Sequence, residues 1–256
     1  MQSQYFVFDG IQSELMGIHI VRMERGMIPT PYMGSKNIRD VKVFGRDMPY
    51  FYGVEKGVIR FDLQMSLLDE EWTPQRRYEI ARWLFQDVHK PFQTSDDLGK
   101  YYYAICTNAE NLFLADSKGF VNLTFTTNAP YAFSQVYTNT FDLTENDTTE
   151  TIMVENNSNV GEYYYPKIEF ALSGDSTGLS LKNLSDNNRI FEFTDLTTSE
   201  IISVDNKNKY ILSNVPAVYR FQNFNKNWLR LRYGQNFIEV TGKCDMVIKT
   251  QFPILQ

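Results

Sequence analysis

The residues of this chain whose types and spacing could carry chemistry are few. Only His19 and His89 are present, and neither belongs to an H-E-x-x-H pattern, so both read as structural. Cys106 and Cys244 are too few for a disulfide scaffold and lack the partners of a thiolate zinc site. Both are expected to be buried free thiols. Asp69, Glu70 and Glu71 cluster where a helix is about to start, and carboxylates there favour the positive end of its dipole without any catalytic pairing. Asp96 and Asp97 form a lone acidic pair without the alternating ligands of a calcium loop. No G-x-S-x-G elbow, P-loop or G-x-G-x-x-G stretch occurs. The expectation is a protein with no catalytic residues, no metal and no cofactor, that is, not an enzyme.

One constellation retains binding potential. In WLRLRYG, Trp228 offers a ring face and Arg230 and Arg232 offer donors, a set that can stack and hydrogen-bond a sugar. That makes a carbohydrate-binding module recognising surface glycans the runner-up function. The competing reading makes Trp228, Leu229, Leu231 and Tyr233 part of a strand with the arginines on its solvent face.

Around these residues the elements are mostly short strands. Ile59, Phe61, Leu63, Met65 and Leu67 alternate with polar residues, and Val121, Leu123 and Phe125 repeat the pattern. FVFDGIQS and IHIVRMERG suggest a pair of strands turning near Asp9-Gly10, and DDLGK, Asp96 to Lys100, reads as a loop. A single helix stands out over about residues 73–88. Thr73 can cap it, Pro74 suits its first position, and Ile80, Leu84 and Val88 with Ala81 and Phe85 make one apolar stripe. Three arginines offset by Glu79 and Asp87 do not make a nucleic-acid-binding face, so packing on a sheet is expected.

The 256 residues carry a formal charge of −6, spread over both halves, and this disfavours nucleic-acid binding as the main role. Aromatic residues make up 15%, which suits strands and interfaces. The start, MQSQYFVFDG, lacks a basic segment followed by an apolar core, and no apolar run reaches membrane-spanning length. Synthesis in a cytoplasm and no membrane insertion are expected. After NAPYAFS the chain fills with Asn, Thr, Ser and Asp between short apolar segments such as KIEFALS, GLSLKNL and RIFEFTDL, the pattern of a sandwich or barrel. We therefore expect a mainly β protein of two domains, 1–134 and 135–256, the second an antiparallel β-sandwich.

Several stretches in order resemble the distal tail protein of siphophages, the baseplate hub. They are FVFDGIQSELMGIHI at the start, FGRDMPYFYG (Phe44 to Gly53), the single helix with WLFQ, the strand ending in NAPYAFS, and the closing WLRLRYGQNFIEVTGKCDMVIKTQFP. The resemblance spans nearly the whole chain. It implies a β-sandwich-like N-terminal domain that forms a homo-hexameric ring at the tail tip, around the channel through which genomic DNA passes without sequence-specific binding. It implies a galectin-like C-terminal sandwich projecting outward, and a virion location. Implied partners are the tail tube protein, a tail-associated hub or fibre protein, a receptor-binding protein and the tape-measure protein. The inserted carbohydrate-binding modules of some relatives are missing, so direct host binding is not implied.

Overall fold

The computed structural model describes residues 5–21, 34–67, 73–113, 119–161 and 163–255. The chain divides into two compact units, Met1–Ser134 with Leu255–Gln256, and Gln135–Ile254. Both are mainly β, and among the described residues there is one α-helix.

In the first unit the elements are β1 (Phe6–Phe8), β2 (Ile11–Gln12), β3 (Ile18–Ile20), β4 (Lys36–Val41), β5 (Tyr50–Lys56) and β6 (Arg60–Leu67). They are followed by α1 (Pro74–Leu84), β7 (Lys90–Thr94), β8 (Asp97–Phe113), β9 (Gly119–Thr127) and β10 (Ala132–Phe133). One antiparallel sheet runs in the order β2-β1-β7-β8-β9-β6-β3. The period-2 alternation sets its register: Phe61 lies opposite Phe125, Leu63 opposite Leu123 and Met65 opposite Val121, so one face is apolar throughout. Asp9 and Gly10 both take positive φ in the turn between β1 and β2, as a two-residue hairpin loop requires.

Helix α1 covers that apolar face. Thr73 accepts a hydrogen bond from the Arg76 amide at 3.2 Å, and Pro74 opens the helix, as its chemistry predicts. Ile80, Trp83 and Leu84 are buried. The Trp83 ring stacks on Phe6 at 5.6 Å, and its indole N–H donates to the Phe8 carbonyl at 3.0 Å. Each such side chain contributes about 2 kcal/mol on leaving water. The helix stops at Leu84 rather than near 88. Gln86 turns back and donates to the carbonyls of Arg82 and Trp83, closing the last turn, and Lys90 is already needed as the first residue of β7. Phe85 and Val88, expected on the buried stripe, are exposed.

Two further expectations change. β3 pairs with β6, Ile18 opposite Leu67 and Ile20 opposite Met65, rather than with the opening strand. DDLGK is not a loop, because Thr94 pairs with Asp97 and β8 begins there. Asp69, Glu70 and Glu71 lie outside the described residues.

The second unit begins with β11 (Tyr137–Leu143), β12 (Glu150–Asn156), β13 (Tyr163–Tyr164), β14 (Lys167–Leu172), β15 (Leu179–Asn183) and β16 (Arg189–Phe193). It continues with β17 (Ile201–Asp205), β18 (Tyr210–Ser213), β19 (Leu231–Arg232), β20 (Gly234–Thr241) and β21 (Cys244–Thr250). Two antiparallel sheets, β11-β21-β14-β17-β18 and β12-β20-β15-β16, enclose a single core, the arrangement of a sandwich. Ile168, Phe170 and Leu172 from one sheet share that core with Leu181, Ile238 and Val240 from the other.

Two buried polar devices hold the loops of this sandwich. The Glu200 carboxylate, with no side-chain exposure, is bonded by Arg220 at 2.6 Å and by the Ser213 hydroxyl. Burial alone would push its pKa up, but the bonds from Arg220, Ser213 and the Thr197 amide outweigh that and bring it down to about 2. The second device is a set of asparagines. Asn206 accepts from the Leu229 amide at 2.8 Å and Asn183 donates to the Arg230 carbonyl at 3.0 Å. Asn156 donates to the Leu231 carbonyl, and Asn236 accepts from the Arg232 amide at 2.9 Å. All four side chains are buried. They replace ladder bonds for a segment that makes almost none.

Candidate assembly surface

Strands β4 and β5 pair with each other and with no other strand of the described residues. Their sequences, KNIRDV and YFYGVEK, are rich in β-branched and aromatic residues, which favours the extended form. Arg39 pairs with Gly53 and Asp40 with Phe51, so Tyr52 is the extra residue of a bulge. Gly53 carries a φ of 137°, a conformation L side chains rarely adopt, which explains a glycine inside the strand. The register places Ile38, Val54 and Phe51 on one face and Val41 with Tyr50 on the other. At the tip, the Arg46 amide bonds the Val43 carbonyl at 3.1 Å, and the Arg46 guanidinium lies 4.0 Å above the Tyr50 ring.

What distinguishes this hairpin is that its apolar side chains stay exposed among the described residues. Ile38 and Phe51 are each 66% exposed, Tyr52 is 71% exposed and Phe44 at the tip is fully exposed. A lone two-stranded hairpin is marginal in water, and exposed apolar side chains grouped on one element make it a candidate interaction site. The Arg39–Glu55 ion pair adds little, because exposed pairs are worth about 0–1 kcal/mol. The hairpin is also electrically unlike the rest of the chain. Lys36, Arg39, Lys42, Arg46 and Lys56 outnumber Asp40, Asp47 and Glu55, within a protein of net charge −6.

The other residues singled out by type fall apart in space or are already engaged. His19 sits in β3, 3.9 Å from Glu14, and His89 precedes β7. The Asp97 carboxylate is held by Lys100 at 2.8 Å and by the Gly99 amide. No group of three or more potential metal ligands gathers among the described residues. Cys106 and Cys244 are buried and free, and burial pushes their thiols up to about 11 and about 12.

The three residues proposed for sugar stacking do not form a platform in this structure. Trp228 is only 8% exposed and packs edge-on against Phe224 at 4.8 Å. Arg230 makes two bonds to Asp186, at 2.7 and 3.2 Å, and lies 3.9 Å over the Tyr163 ring. Arg232 donates to the Ser185 carbonyl. The alternation expected from Trp228 to Tyr233 is absent, since Trp228 and Leu229 are both buried and only Leu231–Arg232 is strand. The buried asparagines explain the departure, because side-chain bonds hold this segment where a ladder would. Sequence reasoning gave these asparagines no role of their own. An Asn inside an otherwise alternating strand, as at Asn183 and Asn236, was the available signal.

Among the described residues of this two-domain, mainly β chain, the exposed apolar hairpin is the candidate association surface. Comparison with known proteins gives the class its place. A family model described as a phage tail protein N-terminal domain matches residues 1–129, and one described as a phage tail C-terminal domain matches residues 131–250. The chain belongs to this family of phage tail proteins. It is 27% identical to the SPbeta prophage-derived uncharacterized protein YomH of Bacillus subtilis (strain 168), over 99% of both chains. Its fold is similar to that of the SPP1 Dit protein, described as a paradigm of the hub adsorption apparatus in phages infecting Gram-positive hosts. That match has a TM-score of 0.69 at 15% identity, covering 98% of this chain and 100% of the other. A chain of the phage P2 baseplate in its activated conformation with Ca is similar at a TM-score of 0.53 and 8% identity, over 97% and 98% of the two chains.

Proposed function

We propose that this protein is the ring-forming hub of a siphophage tail tip, six copies closing around the channel through which DNA leaves. The observation that carries the reading is the exposed, cationic, apolar hairpin of β4 and β5, taken with the fold shared with a hub protein. Cyclic closure repeats one heterologous contact, and a projecting hairpin that docks on the neighbouring copy supplies such a contact. Residues 1–134 then hold the ring, while the sandwich of 135–256, galectin-like in this reading, projects toward the host-adsorption parts. The tail tube protein and a hub or fibre protein are its axial neighbours, with receptor-binding and tape-measure proteins as further contacts in the virion. The reading assigns no reaction to the chain. Native mass measurement of the purified protein tests it, with a sixfold species expected. A strictly monomeric species at high concentration and moderate salt, persisting on co-expression with the tail tube protein, overturns it.

A further inference from the structure

A groove of about 390 Å³ opens in the second unit between the β15–β16 turn and the chain around Asn227. The turn itself is simple to explain. The Arg189 amide bonds the Asp186 carbonyl at 3.0 Å, and Asn187 and Asn188 carry φ of 52° and 56°, the type I′ geometry. Asparagine or glycine satisfies that backbone, but the backbone does not call for two amide side chains. Among the described residues the side-chain amides of Asn187, Asn188 and Asn227 have no hydrogen-bond partner, and all three line the groove.

The charged residues divide into a closed pair and a surplus. Asp186 is 1% exposed and Arg230 neutralises it through two bonds, so this pair fixes the wall and contributes no net charge. Arg189 donates its Nε–H to the Trp228 carbonyl at 3.3 Å, and its two terminal nitrogens have no partner among the described residues. Ile190, 39% exposed, adds a small apolar surface to the same groove. Free amides that both donate and accept suit vicinal hydroxyls, a free guanidinium suits an anion, and an apolar patch suits a C–H face.

We propose that this groove binds a hydroxylated polyanion of the acidic-saccharide or polyol-phosphate class. The proposal is independent of ring formation and of the Trp228 ring.

The test uses the full chain with four labelled probes at moderate salt: poly(glycerol phosphate), polygalacturonate, neutral dextran and duplex DNA. At least one of the first two is expected to bind, and which one binds identifies the anion. Asn187→Gly with Asn188→Gly keeps the turn and deletes both amides. Combined with Asn227→Ala it should weaken binding about tenfold, the loss of a few hydrogen bonds, with the melting temperature unchanged. Arg189→Gln, tested alone, should weaken binding similarly even if the triple variant proves unstable. Failure of both anionic probes to bind, binding unaffected by these variants, or equal affinity for dextran or for DNA overturns the proposal.

Discussion

Replacing Ile38 and Phe51 by threonine should separate assembly from folding. Both side chains lie on one face of the β4–β5 hairpin and each is 66% exposed, so about two-thirds of their surface is still available to a partner. Full burial of such side chains is worth about 1.5–3 kcal/mol each, so completing it at a contact is worth about 3 kcal/mol for the two together. That corresponds to about a hundredfold in the association constant of each contact. Threonine keeps the strand preference, and substitutions at exposed positions change stability by about 0.5 kcal/mol or less, so the folded monomer should be unaffected. Sedimentation velocity over a dilution series, beside thermal melts, reads both quantities. Should the double variant assemble like the parent across a hundredfold dilution, the hairpin is not buried in the assembly and the argument from its exposure fails.

Leu84→Asp would place a charge where no solvent reaches and destabilise the first unit by about 4 kcal/mol. Limited proteolysis should then digest that unit while a fragment near 135–256, which keeps all of β11, stays resistant. Glu200 sets an acid limit on the sandwich. Its folded pKa, about 2, lies below the ordinary 4.5, so its contribution of about 3 kcal/mol is complete above pH 4.5 and is lost as pH falls toward 2. In Glu200→Gln the denaturation midpoint of the 135–256 fragment should lose most of that pH dependence. Asn236→Ala leaves the Arg232 amide and the Arg232 and Gly234 carbonyls without this partner, and should cost about 2 kcal/mol in denaturant unfolding.

By itself the sequence determined what depends on near neighbours in the chain. The Thr73-Pro74 start of the helix, the Asp9-Gly10 turn and the alternation of β6 and β9 rest on local capping, φ preference and pleat, so the residues alone suffice to read them. The absence of a catalytic motif, and the order of stretches that resembles a tail hub, were legible for the same reason. Tertiary structure decided what depends on partners remote in sequence. The helix ends at Leu84 because Lys90 must enter β7, although its apolar pattern runs on to Val88. Trp228 and Leu229 face the core together because Asn206, bonded to the Leu229 amide, and Asn183, bonded to the Arg230 carbonyl, both over twenty residues away, hold this segment out of strand register. The FGRDMPYFYG stretch reads as turn and strand, but its exposure follows only from finding that no other described strand pairs with it. Alternation tells which side chains share a face of a strand. Only the packed chain shows whether anything covers that face.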